Sequence, residues 1–72
     1  MNSPRLGNRL KVARAERGLS QEQLASMVGV TRQTISSIET GQYCPSALLA
    51  FLLARQMGKP VDELFFVEGE VP

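Results

Sequence analysis

The chain has 72 residues, one cysteine, no histidine and a formal net charge of +1. These totals exclude an internal disulfide, a histidine-containing zinc set and a uniformly basic coat. They describe one domain, residues 1–72, with a core from about 5 to 66, and a core that small supplies only roughly 3–5 kcal/mol without a partner.

In chain order, Leu6, Leu10 and Ala13 stand at i, i+4 and i+7 among Arg5, Arg9, Lys11 and Arg14. This predicts an amphipathic first helix closed by Gly18. Ser20 can cap a second helix, with Gln23 three residues on to complete a capping box. That helix runs to about Val28 and buries Leu24, Ala25 and Val28. Gly29 supplies the left-handed bend. Thr31 caps a third helix whose inward residues are Ile35 and Ile38 and which Gly41 ends. Gln42 to Pro45 is a loop, because Pro45 biases Cys44 away from helical angles. Ser46 opens a fourth helix ending near Met57 and Gly58. Val61 to Phe65 form a last short helix with Pro60 at its start. Phe66 to Pro72 are extended or loose.

Charge is unevenly spread. Residues 1–32 carry six cations, Arg5, Arg9, Lys11, Arg14, Arg17 and Arg32, against Glu16 and Glu22, a balance of +4. Residues 33–72 carry Arg55 and Lys59 against five carboxylates, a balance of −3. A basic end facing phosphate would produce this split, as would a solvated surface with chance asymmetry.

The segment from Ser20 to Gly41 meets three linked constraints of a helix-turn-helix. Ala25 is small enough for close approach, Gly29 allows the bend, and Ile35 and Ile38 lock the second helix of the pair. An arbitrary pair of helices meets one or two of these. Arg32, Gln33, Ser36 and Ser37 then point away from Ile35 and Ile38. A helix facing only water more often carries Glu and Lys, whereas these side chains can hydrogen-bond base edges.

Leu19, Ser20, Gln21, Leu24, Ala25, Gly29, Val30, Thr31, Ile35, Ile38, Glu39, Gly41, Pro45, Val61 and Leu64 together resemble the phage-repressor and Cro (Xre) helix-turn-helix family over nearly the whole chain. The layout is similar to its short, stand-alone bacterial repressors. The resemblance implies an all-α, five-helix repressor-like domain, to which the tail can add a small β element. It implies that the third helix enters the major groove of double-stranded DNA. Gln33 then matches a principal base-reading position, where an amide can pair bidentately with adenine. Arg32 reads guanine or grips a phosphate. Ser37 matches a further reading position, and Thr34 meets a thymine methyl or only packs. Gln21 contacts a phosphate or supports Gln33, and Thr31 can bond a phosphate as well as cap. Thr40, Gln42 and Tyr43 fall where the family clamps the DNA backbone, although Thr40 replaces the commoner Asn. The family also pairs the positions of Arg14 and Glu39 in a structural bridge.

The fourth helix is too apolar for one buried face. Leu49, Ala50, Leu53, Ala54 and Met57 make a core stripe; Leu48, Phe51 and Leu52 make a second stripe elsewhere. Phe65, Phe66 and Val67 add apolar area nearby in sequence. A soluble monomer rarely leaves such a stripe open, so a homodimer through Leu48, Phe51, Leu52, Phe66 and Val67 is expected. The alternative is a tail that folds back over the stripe within one chain. Two-fold symmetry sets two reading helices about one DNA turn apart, roughly 34 Å, which implies an inverted-repeat operator and repression by blocking polymerase. A second reading is a protein-binding module, such as an antitoxin or anti-repressor, whose stripe holds a partner protein.

No enzyme is expected. The chain has no His, no plausible carboxylate pair and no Gly-rich phosphate loop, and Cys44 lacks a base to activate it. Neither metal nor cofactor is expected. The N-terminus lacks the apolar run of a signal peptide. The longest apolar run, Ala47 to Ala54, is too short to span a membrane. A lone thiol fits a reducing compartment, so the expected location is the cytoplasm.

Overall fold

The computed structural model describes residues 3–69. In chain order the elements are β1 (Arg5–Asn8), α1 (Leu10–Glu16), α2 (Gln21–Val28), α3 (Arg32–Glu39), α4 (Ala47–Met57), α5 (Val61–Leu64) and β2 (Phe65–Glu68). Five helices enclose the core, and a two-stranded sheet ties the described ends together.

Helix starts follow their caps. Ser20 accepts from the Gln23 N–H at 3.0 Å while the Gln23 side chain accepts from the Ser20 N–H at 2.8 Å, a complete capping box. Thr31 caps α3 through the Thr34 N–H, and Ser46 caps α4 through the Leu49 N–H. The bend between α2 and α3 is made by Gly29 at φ 76°, left-handed backbone that a β-carbon would strain. Leu10, Leu24, Ile35, Ile38, Leu53, Met57 and Leu64 are fully buried, with Ala13, Ala25, Leu49, Ala50, Ala54 and Phe65 around them. Val28, expected inside, is half-buried against this core.

The first helix is shorter than the apolar spacing predicts. Leu6 lies on β1, paired with Val67 of β2 in antiparallel register; Arg5 faces Glu68, Gly7 faces Phe66 and Asn8 faces Phe65. Gly7 and Asn8 are poor helix formers, and their partners lie about sixty residues away, beyond the reach of local periodicity. Phe65 likewise leaves the last helix to start β2. Gly7 is needed for close approach, since a β-carbon there would run into the Phe66 ring. Arg9 lies over the same ring, its guanidinium carbon 4.5 Å from the ring centroid.

The core stripe of α4 is the expected one, with Leu49, Ala50, Leu53, Ala54 and Met57 all buried. The described part of the tail pairs with β1 and, among the described residues, leaves the second stripe uncovered: Leu48 is 70% exposed and Phe51 61%. Leu52 is half-buried. No helix among the described residues is long and apolar enough to cross a membrane.

Candidate nucleic-acid interface

The interface is assembled on α3, and its position is set from three sides. Ala25 is buried on α2, and the Val30 N–H donates to the Ala25 carbonyl at 3.0 Å just past the Gly29 bend. Ile35 and Ile38 fix the inner face of α3 in the core. At its C-terminal end, Glu39 accepts two hydrogen bonds from Arg14 of α1, at 2.7 Å from Nε and 3.2 Å from Nη2. Arg14 also donates from Nη1 to the Leu19 carbonyl at 2.9 Å, so one guanidinium spans α1, the turn before α2 and the end of α3.

Glu39 is only 4% exposed at its side chain. Burial pushes its carboxyl pKa up, but hydrogen bonds from Arg14 and Gln21 and the charges of Arg14 and Lys11 outweigh that, leaving it below the ordinary value. The hydrogen bond to Glu39 raises the pKa of Arg14, against a lowering from burial and with further help from the carboxylate charge. The pair is therefore ionised across the neutral range.

With its inner face buried, α3 turns Arg32 and Gln33 to solvent, while Thr34, Ser36 and Ser37 are half-buried. Gln33 Nε2 donates to Ser37 Oγ at 3.2 Å. The hydroxyls of Thr31 and Thr34 lie 3.1 Å apart and share a hydrogen bond. Thr34 is thus tied to the cap of its own helix.

The flanking residues behave differently from one another. Gln21 Nε2 donates to Glu39 Oε1 at 3.0 Å. It extends the bridge at the end of α3 and does not bond Gln33, which corrects the expected support of Gln33. Thr40 turns its hydroxyl back onto the carbonyls of Ser36 and Ser37, at 3.0 and 3.3 Å. That hydrogen is spent inside the helix rather than pointed outward. The backbone N–H groups of Gln42 and Tyr43 both donate to the Ser37 carbonyl, at 2.8 and 3.1 Å. Only the side chains of these two exposed residues are left to reach a phosphate.

The charge split does not translate into six free cations. Arg5 pairs with Glu68 at 3.1 Å, Arg9 lies over Phe66, Arg14 holds Glu39, and Arg17 donates to the Met57 carbonyl at 3.0 Å. Of those six, only Lys11 and Arg32 are left without a hydrogen bond, ion pair or ring contact among the described residues.

Two positioning residues escaped the sequence reading. Asn8 Oδ1 accepts from the Leu10 N–H at 3.0 Å, and its Nδ2 donates to the Ile38 carbonyl at 2.9 Å. It starts α1 and grips the last turn of α3 at once. Had the first helix been started at Leu10, Asn two residues ahead would have read as an Asx turn leading into it. Arg17 satisfies a carbonyl at the end of α4, 40 residues on, and no local pattern signals that contact.

Residues 10–64 match the helix-turn-helix family, and the chain belongs to it. It is 44% identical over 63 residues to the uncharacterized HTH-type transcriptional regulator YgzD of Bacillus subtilis, covering 88% of this chain and 96% of that one. An uncharacterized HTH-type transcriptional regulator of Methanocaldococcus jannaschii is 46% identical with the same coverage. Among solved structures, the restriction-modification controller protein C.AhdI of Aeromonas hydrophila superposes with a TM-score of 0.71 at 34% identity, covering 76% of this chain and 80% of that one.

Proposed function

We propose that this protein is a sequence-specific DNA-binding transcription regulator that works in the cytoplasm as a homodimer, with α3 of each copy in the major groove of an inverted-repeat operator. One observation carries the reading: the inner face and the end of α3 are locked by Ile35, Ile38 and the Arg14–Glu39 bridge, while Arg32 and Gln33 are exposed on the outer face. A rigid helix with an uncovered face of donors and acceptors can slot between phosphate ridges and reach base edges. Similarity to proteins named as HTH-type transcriptional regulators and as a controller protein supports it.

In this reading Gln33 pairs with adenine, Arg32 with guanine or a phosphate, and Thr34 and Ser37 line the same groove. Gln21, Thr31, Thr40, Gln42 and Tyr43 border the DNA backbone, where contacts set register rather than sequence. Thr40 does so as a support, because its one hydroxyl hydrogen is already engaged inside the fold, while Gln21 keeps a second N–H and its Oε1 beyond the bond to Glu39. The dimer forms through Leu48, Phe51 and Val67, with half-buried Leu52 and Phe66 at its margin. Occupying a promoter palindrome blocks polymerase, so the action is repression.

Selection from random duplex DNA should enrich one inverted repeat with half-sites about one helical turn apart. Its affinity should fall steeply with salt, log K against log salt having a slope of about −0.9 per phosphate neutralised. Gln33→Ala should lose roughly 1–3 kcal/mol on that duplex and little on random DNA. No enriched sequence, or an equal loss on both duplexes, overturns base reading by Gln33. A stable hetero-complex without DNA affinity would instead support a protein-binding module.

A further inference from the structure

We infer that Ser37 sets the specificity of DNA recognition through Gln33, by holding the Gln33 carboxamide in a reading orientation rather than by contacting a base itself. This rests on the proposed reading of DNA by α3. Gln33 and Ser37 are one helical turn apart, and Gln33 Nε2 donates to Ser37 Oγ at 3.2 Å. The hydroxyl stands on a fixed base: the Ser37 carbonyl accepts from the N–H groups of Gln42 and Tyr43 and from the Thr40 hydroxyl, so its backbone is pinned from the following loop.

One Nε2 hydrogen is committed to Ser37. A second N–H and Oε1 remain, one donor and one acceptor on a single planar group. Those are what adenine N7 and its exocyclic amine require. A free glutamine must freeze its side-chain rotations on binding. One already held by the turn behind it has less freedom to lose, and its donor and acceptor are presented in one order, so the gain applies to the matched base and is absent on mismatched DNA.

The test uses the intact protein and the best duplex selected from a random pool, with random duplex as the reference. Ser37→Ala should reduce the ratio of specific to non-specific affinity by about threefold to tenfold, the span of one net hydrogen bond. Ser37→Thr, which restores the hydroxyl, should recover it. In a Gln33→Ala background Ser37→Ala should have no further effect on the ratio. In the DNA-free protein, the Gln33 side-chain amide resonances should shift in Ser37→Ala and return in Ser37→Thr, while thermal melts of all variants stay close together.

If Ser37→Ala lowers both affinities equally, or still lowers the ratio when Gln33 is already Ala, the inference is overturned. Unchanged Gln33 amide resonances overturn it too, while base reading by Gln33 can stand. If Gln33→Ala itself leaves the ratio intact, the reading beneath it fails, whatever the resonances do.

Discussion

Arg14 on α1 and Glu39 at the end of α3 meet in a two-pronged ion pair, Nε to Oε2 at 2.7 Å and Nη2 to Oε1 at 3.2 Å, with the carboxylate almost wholly removed from solvent. Because α1 is itself anchored in the core by Leu10 and Ala13, the pair fixes the angle at which α3 leaves the domain. Exposed pairs contribute little, but one with a desolvated member is different. The attraction is offset by burial, and the cost of breaking it falls on the partner left behind.

Arg14→Ala should therefore be more damaging than its modest exposure suggests, at about 3–5 kcal/mol, since Glu39 stays buried with only the Gln21 hydrogen bond and the charge of Lys11 to answer it. The double substitution Arg14→Met with Glu39→Leu should lose much less. Urea denaturation of the three proteins checks this. A double variant as unstable as Arg14→Ala would mean that the bridge, rather than an orphaned charge, supplies the stability.

Acid should act through the same carboxylate. The folded-state pKa of Glu39 lies below its ordinary value of 4.5. Its contribution is therefore complete above the unfolded pKa and disappears as pH falls through the lower folded value. Unfolding free energy measured from pH 7 to pH 3 should decline more steeply below pH 4.5 in the wild-type protein than in Glu39→Gln. Parallel curves would show that other carboxylates govern the acid limb.

Asn8 couples the strand pair to α3. Asn8→Ala removes both the acceptor for the Leu10 N–H and the donor to the Ile38 carbonyl. It should cost about 2 kcal/mol, the sum expected of two lost partly buried hydrogen bonds. Asn8→Asp keeps the acceptor and should fall between the two in thermal stability. Faster amide exchange in the last turn of α3 should accompany Asn8→Ala, and its absence would confine Asn8 to starting α1.

The apolar side of α4 offers a test of assembly. Leu48 is 70% exposed and makes no contribution to the core, so Leu48→Glu should leave monomer stability within about 0.5 kcal/mol. A charge desolvated in a two-fold contact appears twice and should break it. Sedimentation should show a dimer for the wild type and a monomer for the variant, with weakened binding to the palindromic duplex. A dimer that persists in the variant would place the interface elsewhere.

Much of this architecture is legible along the chain because its causes are local. The capping box at Ser20 and Gln23, the cap at Thr31, the left-handed bend at Gly29 and the inward pair Ile35 and Ile38 each involve residues a few positions apart. Their physics acts before any distant segment arrives, and the same locality exposes the polar face of α3 carrying Arg32 and Gln33. The core stripe of α4 is equally plain from its period.

What tertiary structure alone decides is where partners come from far along the chain. Leu6 fits a helical period, yet it lies on a strand because Val67 pairs with it and because Gly7 leaves room for Phe66. Along the chain Gln21 offers no sign of Glu39, yet a desolvated Glu39 18 residues on takes one of its amide hydrogens. Most of the basic residues at the start of the chain become fasteners, holding Glu68, Phe66, Glu39 and the Met57 carbonyl. A sequence reports the charge and shape of each side chain; which of them is spent inside the fold depends on desolvation and on long-range proximity, and both exist only once the chain has folded.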